Sequence, residues 1–119
     1  MMDQERFEQI VEEEFERVPD LFRQKLENVR IVVEEEPGSQ RLRSRGLLLG
    51  LYEGVPLSKR GNDYGVYPVI PDTITLYRKN IESIAADEEE VRHQIRMTLI
   101  HEIGHYYGMS EAEIRRAGY

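Results

Sequence analysis

The chain has 119 residues, room for one domain around one core, and its 32 Leu, Ile, Val and Phe residues exclude a disordered chain. With 16 Lys and Arg against 23 Asp and Glu the net charge is −7, which argues against a dedicated nucleic-acid or anionic-membrane binder, although residues 37–60 form a locally basic stretch. Cysteine is absent, so disulfides and thiolate metal sites are excluded and any metal must be held by His and carboxylate.

Phe7, Ile10, Val11, Phe15 and Val18 recur at helical spacing, which predicts an amphipathic helix over Asp3–Val18 with Glu12, Glu13, Glu14 and Glu16 on a solvated face. Pro19 opens a second short helix that turns Leu21, Phe22 and Leu26 inward. The β-branched run Val29–Glu35 reads as a strand ended by Pro37-Gly38-Ser39, and Leu47–Tyr52 as a second strand buried on both faces. Its apolar run is far too short to span a bilayer, and the first residues lack the charge and apolar core of a signal peptide, so a soluble, cytoplasmic chain is expected.

Residues 53–72 are rich in Gly and Pro and read as a long loop holding one short strand, Val66–Ile70, which Pro68 assigns to a sheet edge. Arg41, Arg43, Arg45, Lys59 and Arg60 fit a solvated loop or a basic rim. A strand over Ile74–Tyr77 and a short helix over Asn80–Ala86 follow. Asp87 with Glu90 then caps the main helix, whose stripe of Val91, Ile95, Leu99 and Ile103 runs to about Tyr107 and stops at Gly108. Ser110 with Glu113 starts a last short helix through about Ala117.

The main helix carries His101-Glu102-Ile103-Gly104-His105, the pattern H-E-x-x-H. Residues four apart share a helix face, so both imidazoles can aim at one zinc ion, while Glu102, one residue round, can take a proton from metal-bound water. A catalytic zinc needs a third protein ligand, and a chain reversal at Gly108 brings Glu111 toward the metal, extending the string to H-E-x-x-H-x-x-G-x-x-E. Tyr106, Tyr107, Tyr77 and Tyr67 are the candidates for stabilising an oxyanion, although core packing is the commoner use of such aromatics. His93 lies about 80° round the helix from His101 and is assigned to the surface.

The strand I-T-L-Y-R (Ile74–Arg78), the helix R-M-T-L-I-H-E-I-G-H-Y-Y-G (Arg96–Gly108) and S-E-A-E-I (Ser110–Ile114) resemble the small bacterial zincin-like metallopeptidase family, the minimal metalloproteases. The resemblance implies an α+β, minimal zincin-like fold: a small twisted mixed β-sheet packed against an active-site helix and N-terminal helices, in one domain over residues 1–119. It implies a cytoplasmic bacterial protein with His101 and His105 as zinc ligands and Glu102 as general base. The chain departs from the family at the third ligand, commonly Asp there and Glu111 here, and only Met109 and ten residues follow the zinc helix, too few for the methionine turn of larger metzincins.

The expected activity is zinc-dependent hydrolysis of peptides or unfolded polypeptide. Two further readings are a catalytically inactive or regulatory zincin-like protein that binds metal and a partner, and a metal-dependent endoribonuclease with an H-x-x-x-H-x-x-G-x-x-H site. Against the last stand the catalytic-type Glu102, the acidic third position and the negative charge. The resemblance also implies that extended peptide adds to an edge strand above the metal, for which Val66–Ile70 is the candidate, although the Gly and Pro residues around it fit an ordinary irregular connection equally well.

Overall fold

The computed structural model of the protein describes residues 2–38, 47–55 and 71–119. In chain order these form α1 (Gln4–Phe15), α2 (Asp20–Arg23), β1 (Val29–Glu34), β2 (Gly50–Glu53), β3 (Asp72–Tyr77), α3 (Arg78–Ser83), α4 (Glu88–Tyr106) and α5 (Glu111–Arg116). The expected strand Val66–Ile70, the arginines at 41, 43 and 45, Lys59 and Arg60 all lie outside the described residues.

The three strands make a mixed sheet in the order β1-β3-β2. β1 runs parallel to β3, with Ile31 opposite Ile74, and β2 runs antiparallel to it, with Tyr52 opposite Ile74. β3 is central among them, and Ile74, Thr75, Leu76 and Tyr77 are all buried. The expected second strand begins three residues late, at Gly50, and Leu47 is 54% exposed. Burial on both faces suits a central strand, whereas β2 sits beside only one described neighbour.

Helix α4 lies across the sheet and packs on α1, β2 and β3. Its start is capped as the sequence implied: the Asp87 side chain accepts from the Glu90 amide, and Glu90 in turn accepts from the Ala86 amide. Phe7 and Ile10 of α1, Phe22 of α2, Ile74 and Leu76 of β3 and Ile95, Leu99 and Ile103 of α4 form one cluster from which water is excluded. Each such side chain contributes roughly 1.5–3 kcal/mol relative to exposure, so the cluster holds α4 rigidly against the sheet. This is the α+β arrangement that the sequence resemblance implied, a small mixed sheet packed against the long helix and the N-terminal helices.

Three expectations are corrected. The first helix ends at Phe15 rather than Val18, and Val18 reaches the core from the turn that follows. Leu21 points outward at 72% exposure, because a helix of four residues can turn only one face inward, and Phe22 takes that face. Glu14, read as part of the solvated face, is fully buried. Its Oε1 accepts from Arg96 Nη1 at 2.6 Å and its Oε2 from Arg92 Nη1 at 3.3 Å, so two arginines of α4 neutralise it.

Candidate metal centre

The C-terminal end of α4 closes as the glycine at 108 implied. Gly108 takes φ 87°, its amide donates to His105 O, and the Met109 amide donates to Gly104 O, the paired bonds of a Schellman turn. The reversed chain enters α5 through a full capping box, with Ser110 accepting from the Glu113 amide and Glu113 accepting from the Ser110 amide. Gly104 makes the return close: a Cβ there would lie 2.6 Å from Ile114 Cδ1, so α5 can pack on α4 only where the helix has no side chain.

These turns bring three of the sequence-identified side chains together. His105 Nε2 lies 2.8 Å from Glu111 Oε1, and His101 Nδ1 lies 3.1 Å from Glu111 Oε2. The other ring nitrogens face main-chain oxygens: His101 Nε2 is 2.9 Å from Tyr119 O, and His105 Nδ1 is 3.0 Å from Met109 O. Both histidines are partly buried and Glu111 is about half exposed. Among the described residues no group of three or more His, Asp or Glu is already arranged around a metal position. The three donors instead close on one another through the Glu111 carboxylate.

Glu102 faces the sheet. Its Oε1 accepts from the Tyr52 amide of β2 at 2.9 Å, an approach that depends on Gly50, where a Cβ would meet Thr98 Cγ2 at 2.6 Å. Burial pushes the Glu102 carboxyl above its ordinary value, and Glu111 adds to this, against the opposing influence of His105, the Tyr52 amide and His101. Glu111 moves the other way: partial burial raises it, but hydrogen bonds and charge from His101 and His105 together outweigh burial and hold it below the usual carboxylate value.

An open cleft of about 910 Å³ runs between the two sides. Leu47–Tyr52 line the sheet side, and Met97, Thr98, His101, Glu102, His105 and Glu111 line the helical side. The tyrosines singled out as oxyanion partners are engaged elsewhere. Tyr106 is fully buried with its hydroxyl donating to Glu27 O, Tyr107 donates to Phe22 O at 2.8 Å, and Tyr77 is fully buried in β3. Tyr67 lies outside the described residues. His93 is exposed on α4, as its helical offset implied.

Sequence reasoning missed Tyr52, Gly50, Gly104, Met109 and Tyr119. Met109 was within reach, since a Schellman turn fixes the residue after its glycine. Gly104 was visible as a glycine inside the histidine pair. Tyr52 and Tyr119 carry no local signal, because one acts through its amide and the other through its main-chain oxygen.

No curated protein matches the chain. Among solved structures it is similar to a conserved hypothetical protein from Thermo thermophilus, at 24% identity over 98% of both chains and a TM-score of 0.57, a likeness of fold. The family model for zincin-like metallopeptidases matches residues 26–119, which takes in all three strands, the H-E-x-x-H helix and Glu111. The chain therefore belongs to the zincin-like metallopeptidase family.

Proposed function

We propose that the protein is a zinc-dependent metallopeptidase that hydrolyses short peptides or unfolded polypeptide, with His101, His105 and Glu111 as metal ligands and Glu102 as general base. The observation that carries the proposal is the convergence of two imidazoles on the Glu111 carboxylate beside a partly buried glutamate in an open cleft. Two imidazoles and a carboxylate are a donor set that suits zinc. Ligands about 2.0–2.1 Å from a tetrahedral ion stand about 3.3 Å from each other. The His101–Glu111 contact at 3.1 Å is close to that spacing, and the His105–Glu111 contact at 2.8 Å opens by about half an ångström to reach it.

Bound zinc supplies Lewis acidity, polarising the scissile carbonyl and lowering the pKa of water. Glu102 does the proton work. The Tyr52 amide fixes its Oε1, leaving Oε2 to take the proton from the attacking water and pass it to the leaving amine. Burial raises the Glu102 carboxyl above its ordinary value, the direction that makes a carboxylate a better proton acceptor. The leucines of the 47–51 segment and Met97 form an apolar wall for the substrate, and the absence of a long apolar helix among the described residues fits a substrate met in water.

The test begins with chelator-stripped protein titrated with zinc by calorimetry. One tight site in the wild type, weakened in Glu111→Ala, is expected. Glu102→Gln should keep that site and lose peptide hydrolysis by about 10²–10⁴-fold across a mixed peptide library. Normal turnover in Glu102→Gln overturns the role of Glu102. Tight zinc with no turnover by the wild type points to a regulatory, partner-binding zincin instead.

A further inference from the structure

Tyr52 touches the candidate site at one end and a buried carboxylate at the other. Its amide donates to Glu102 Oε1 at 2.9 Å, and its hydroxyl donates to Asp72 Oδ2 at 2.7 Å. Strand pairing sets Tyr52 of β2 opposite Ile74 of β3, and side chains two apart in a strand share a face, so Asp72 is the diagonal neighbour of Tyr52 on that face. A tyrosine is long enough to span such a diagonal. Asp72 is buried and fixed at the start of β3, where it pairs with Val29 of β1 and its amide donates to Asn28 O. Gly54 leaves room for the carboxylate, since a Cβ there would lie 2.4 Å from Asp72 Oδ1. Between its two ends the Tyr52 ring meets Tyr106 edge-on, at 6.0 Å between centroids. Tyr106 lies four residues beyond Glu102 on the same face of α4, so one tyrosine keys β2 to two successive turns of the helix.

We infer that Asp72 and the Tyr52 hydroxyl are positioning residues for Glu102: the carboxylate anchors the tyrosine, and the anchored tyrosine aims its amide at the general base. The inference rests on the proposed role of Glu102. A strand hydrogen-bonded along one edge can roll about that edge, and among the described residues β3 is the only strand that pairs with β2. The Tyr52 amide is spent on Glu102, so it swings with any such roll. The bond from hydroxyl to Asp72 lies at the tip of a side chain standing out from the sheet, where it has the longest lever against the roll. Holding the amide holds Oε1 and with it the plane of the carboxylate. A base allowed to wander loses rate, because the reacting atoms must meet within narrow limits of distance and angle.

Hydrogen exchange in the metal-free protein reads this device without any turnover. Protection of the amide at position 52 is compared with that of the Tyr77 amide, which donates to Leu49 O between β2 and β3 and reports on the sheet alone. Glu102→Ala, which removes the acceptor, should expose the amide at position 52 and leave Tyr77 protected. Tyr52→Phe keeps the ring and the amide and loses only the hydroxyl. Protection at position 52 should then fall about 2–10-fold, the range that one hydrogen bond supplies, with Tyr77 unchanged. Asp72→Ala should act alike, and Asp72→Asn, which keeps an acceptor oxygen, should recover most of the protection. With zinc bound, Tyr52→Phe should lower kcat for peptide hydrolysis by a similar factor and leave KM and zinc affinity unchanged, as expected of a hydroxyl that orients the base and binds neither substrate nor metal. Full protection at position 52 in Tyr52→Phe overturns the inference. So does an equal loss at Tyr77, which would make Tyr52 and Asp72 general supports of the sheet, and so does a Tyr52→Phe protein with wild-type kcat. Absence of zinc binding or turnover in the wild type defeats the metallopeptidase proposal, and the exchange data still decide whether Asp72 and Tyr52 hold Glu102.

Discussion

The helical side of the cleft assembles its chemistry from neighbours in the chain: His101, Glu102 and His105 lie on α4, and Glu111 opens α5 just beyond the turn. The sheet side contributes the Tyr52 amide and an apolar wall, and Tyr52 reaches Glu102 only because β2 lies against α4 at Gly50. The first arrangement needs a helix, a glycine and a cap, all of them local. The second needs the whole core, since β2 is positioned by pairing to β3, and α4 by packing on α1. The difference separates what chooses the reacting groups from what orients them.

The largest effect should come from breaking the packing that carries the helical side. Glu14 is buried against Arg92 and Arg96, so Glu14→Ala takes the carboxylate from a largely desolvated Arg96 while Arg92 keeps Glu13 and Glu88, and should cost about 2–3 kcal/mol in urea denaturation, less than a wholly buried pair because both arginines keep contact with water. Its neighbour Glu13 also pairs with Arg92, at 2.8 Å, but is exposed, and Glu13→Ala should cost about 0–1 kcal/mol. Equal losses would show that α1 is held to α4 by surface charge rather than by the buried pair.

Next in size is the return of the chain. Gly104→Ala sets a methyl group against Ile114, and overpacking of about 1–3 kcal/mol is partly offset by the roughly 1 kcal/mol that Ala gains over Gly in a helix. The net loss of stability should be about 0–2 kcal/mol, and displacement of α5 carries Glu111 away from the histidines, so zinc affinity should fall by about tenfold, or about 1.4 kcal/mol. Adding Ile114→Val, which removes the nearer methyl group, should recover part of the loss. A Gly104→Ala protein with unchanged zinc affinity would show that Glu111 does not depend on how α5 packs.

The smallest effect contrasts the two carboxylates by pH in the metal-free protein. The folded pKa of Glu111 lies below the unfolded value of 4.5, so its contribution to stability is present above that value and is lost as pH falls through the folded one. Glu102 is raised, so the sign reverses: its contribution is present below 4.5 and is lost as pH rises through the folded value. Melting temperatures should therefore fall for Glu111→Gln relative to wild type near neutral pH and converge with it in acid. Glu102→Gln should match wild type in acid and exceed it near neutral pH. Curves that run in parallel would contradict the opposite environments of the two groups.

The candidate metal-site string was legible because its logic is periodic: a four-residue spacing on a helix, a glycine that tolerates positive φ and a capping serine each act within one turn. Where the sequence misled, the cause was long-range. Glu14 reads as one more member of an acidic face until two arginines from a helix near the other end of the chain cover it. Leu47–Leu49 read as buried strand until β2 takes its place beside only one described neighbour. Tyr106 and Tyr107 stand between core packing and an oxyanion role until the structure turns their hydroxyls to main-chain oxygens near α2, on the side of packing.

By itself, then, the sequence determined the helices, their caps, the family and the identity of the candidate metal and acid–base groups, because these follow from spacing along a few turns. Only the tertiary structure decided which oxygen of Glu102 is held, which nitrogen each histidine turns to Glu111, and how closely α5 returns to α4. The first two depend on main-chain amides and carbonyls that nearly every residue possesses, and the third on where the Ile114 side chain meets Gly104, so packing selects which of these groups meet.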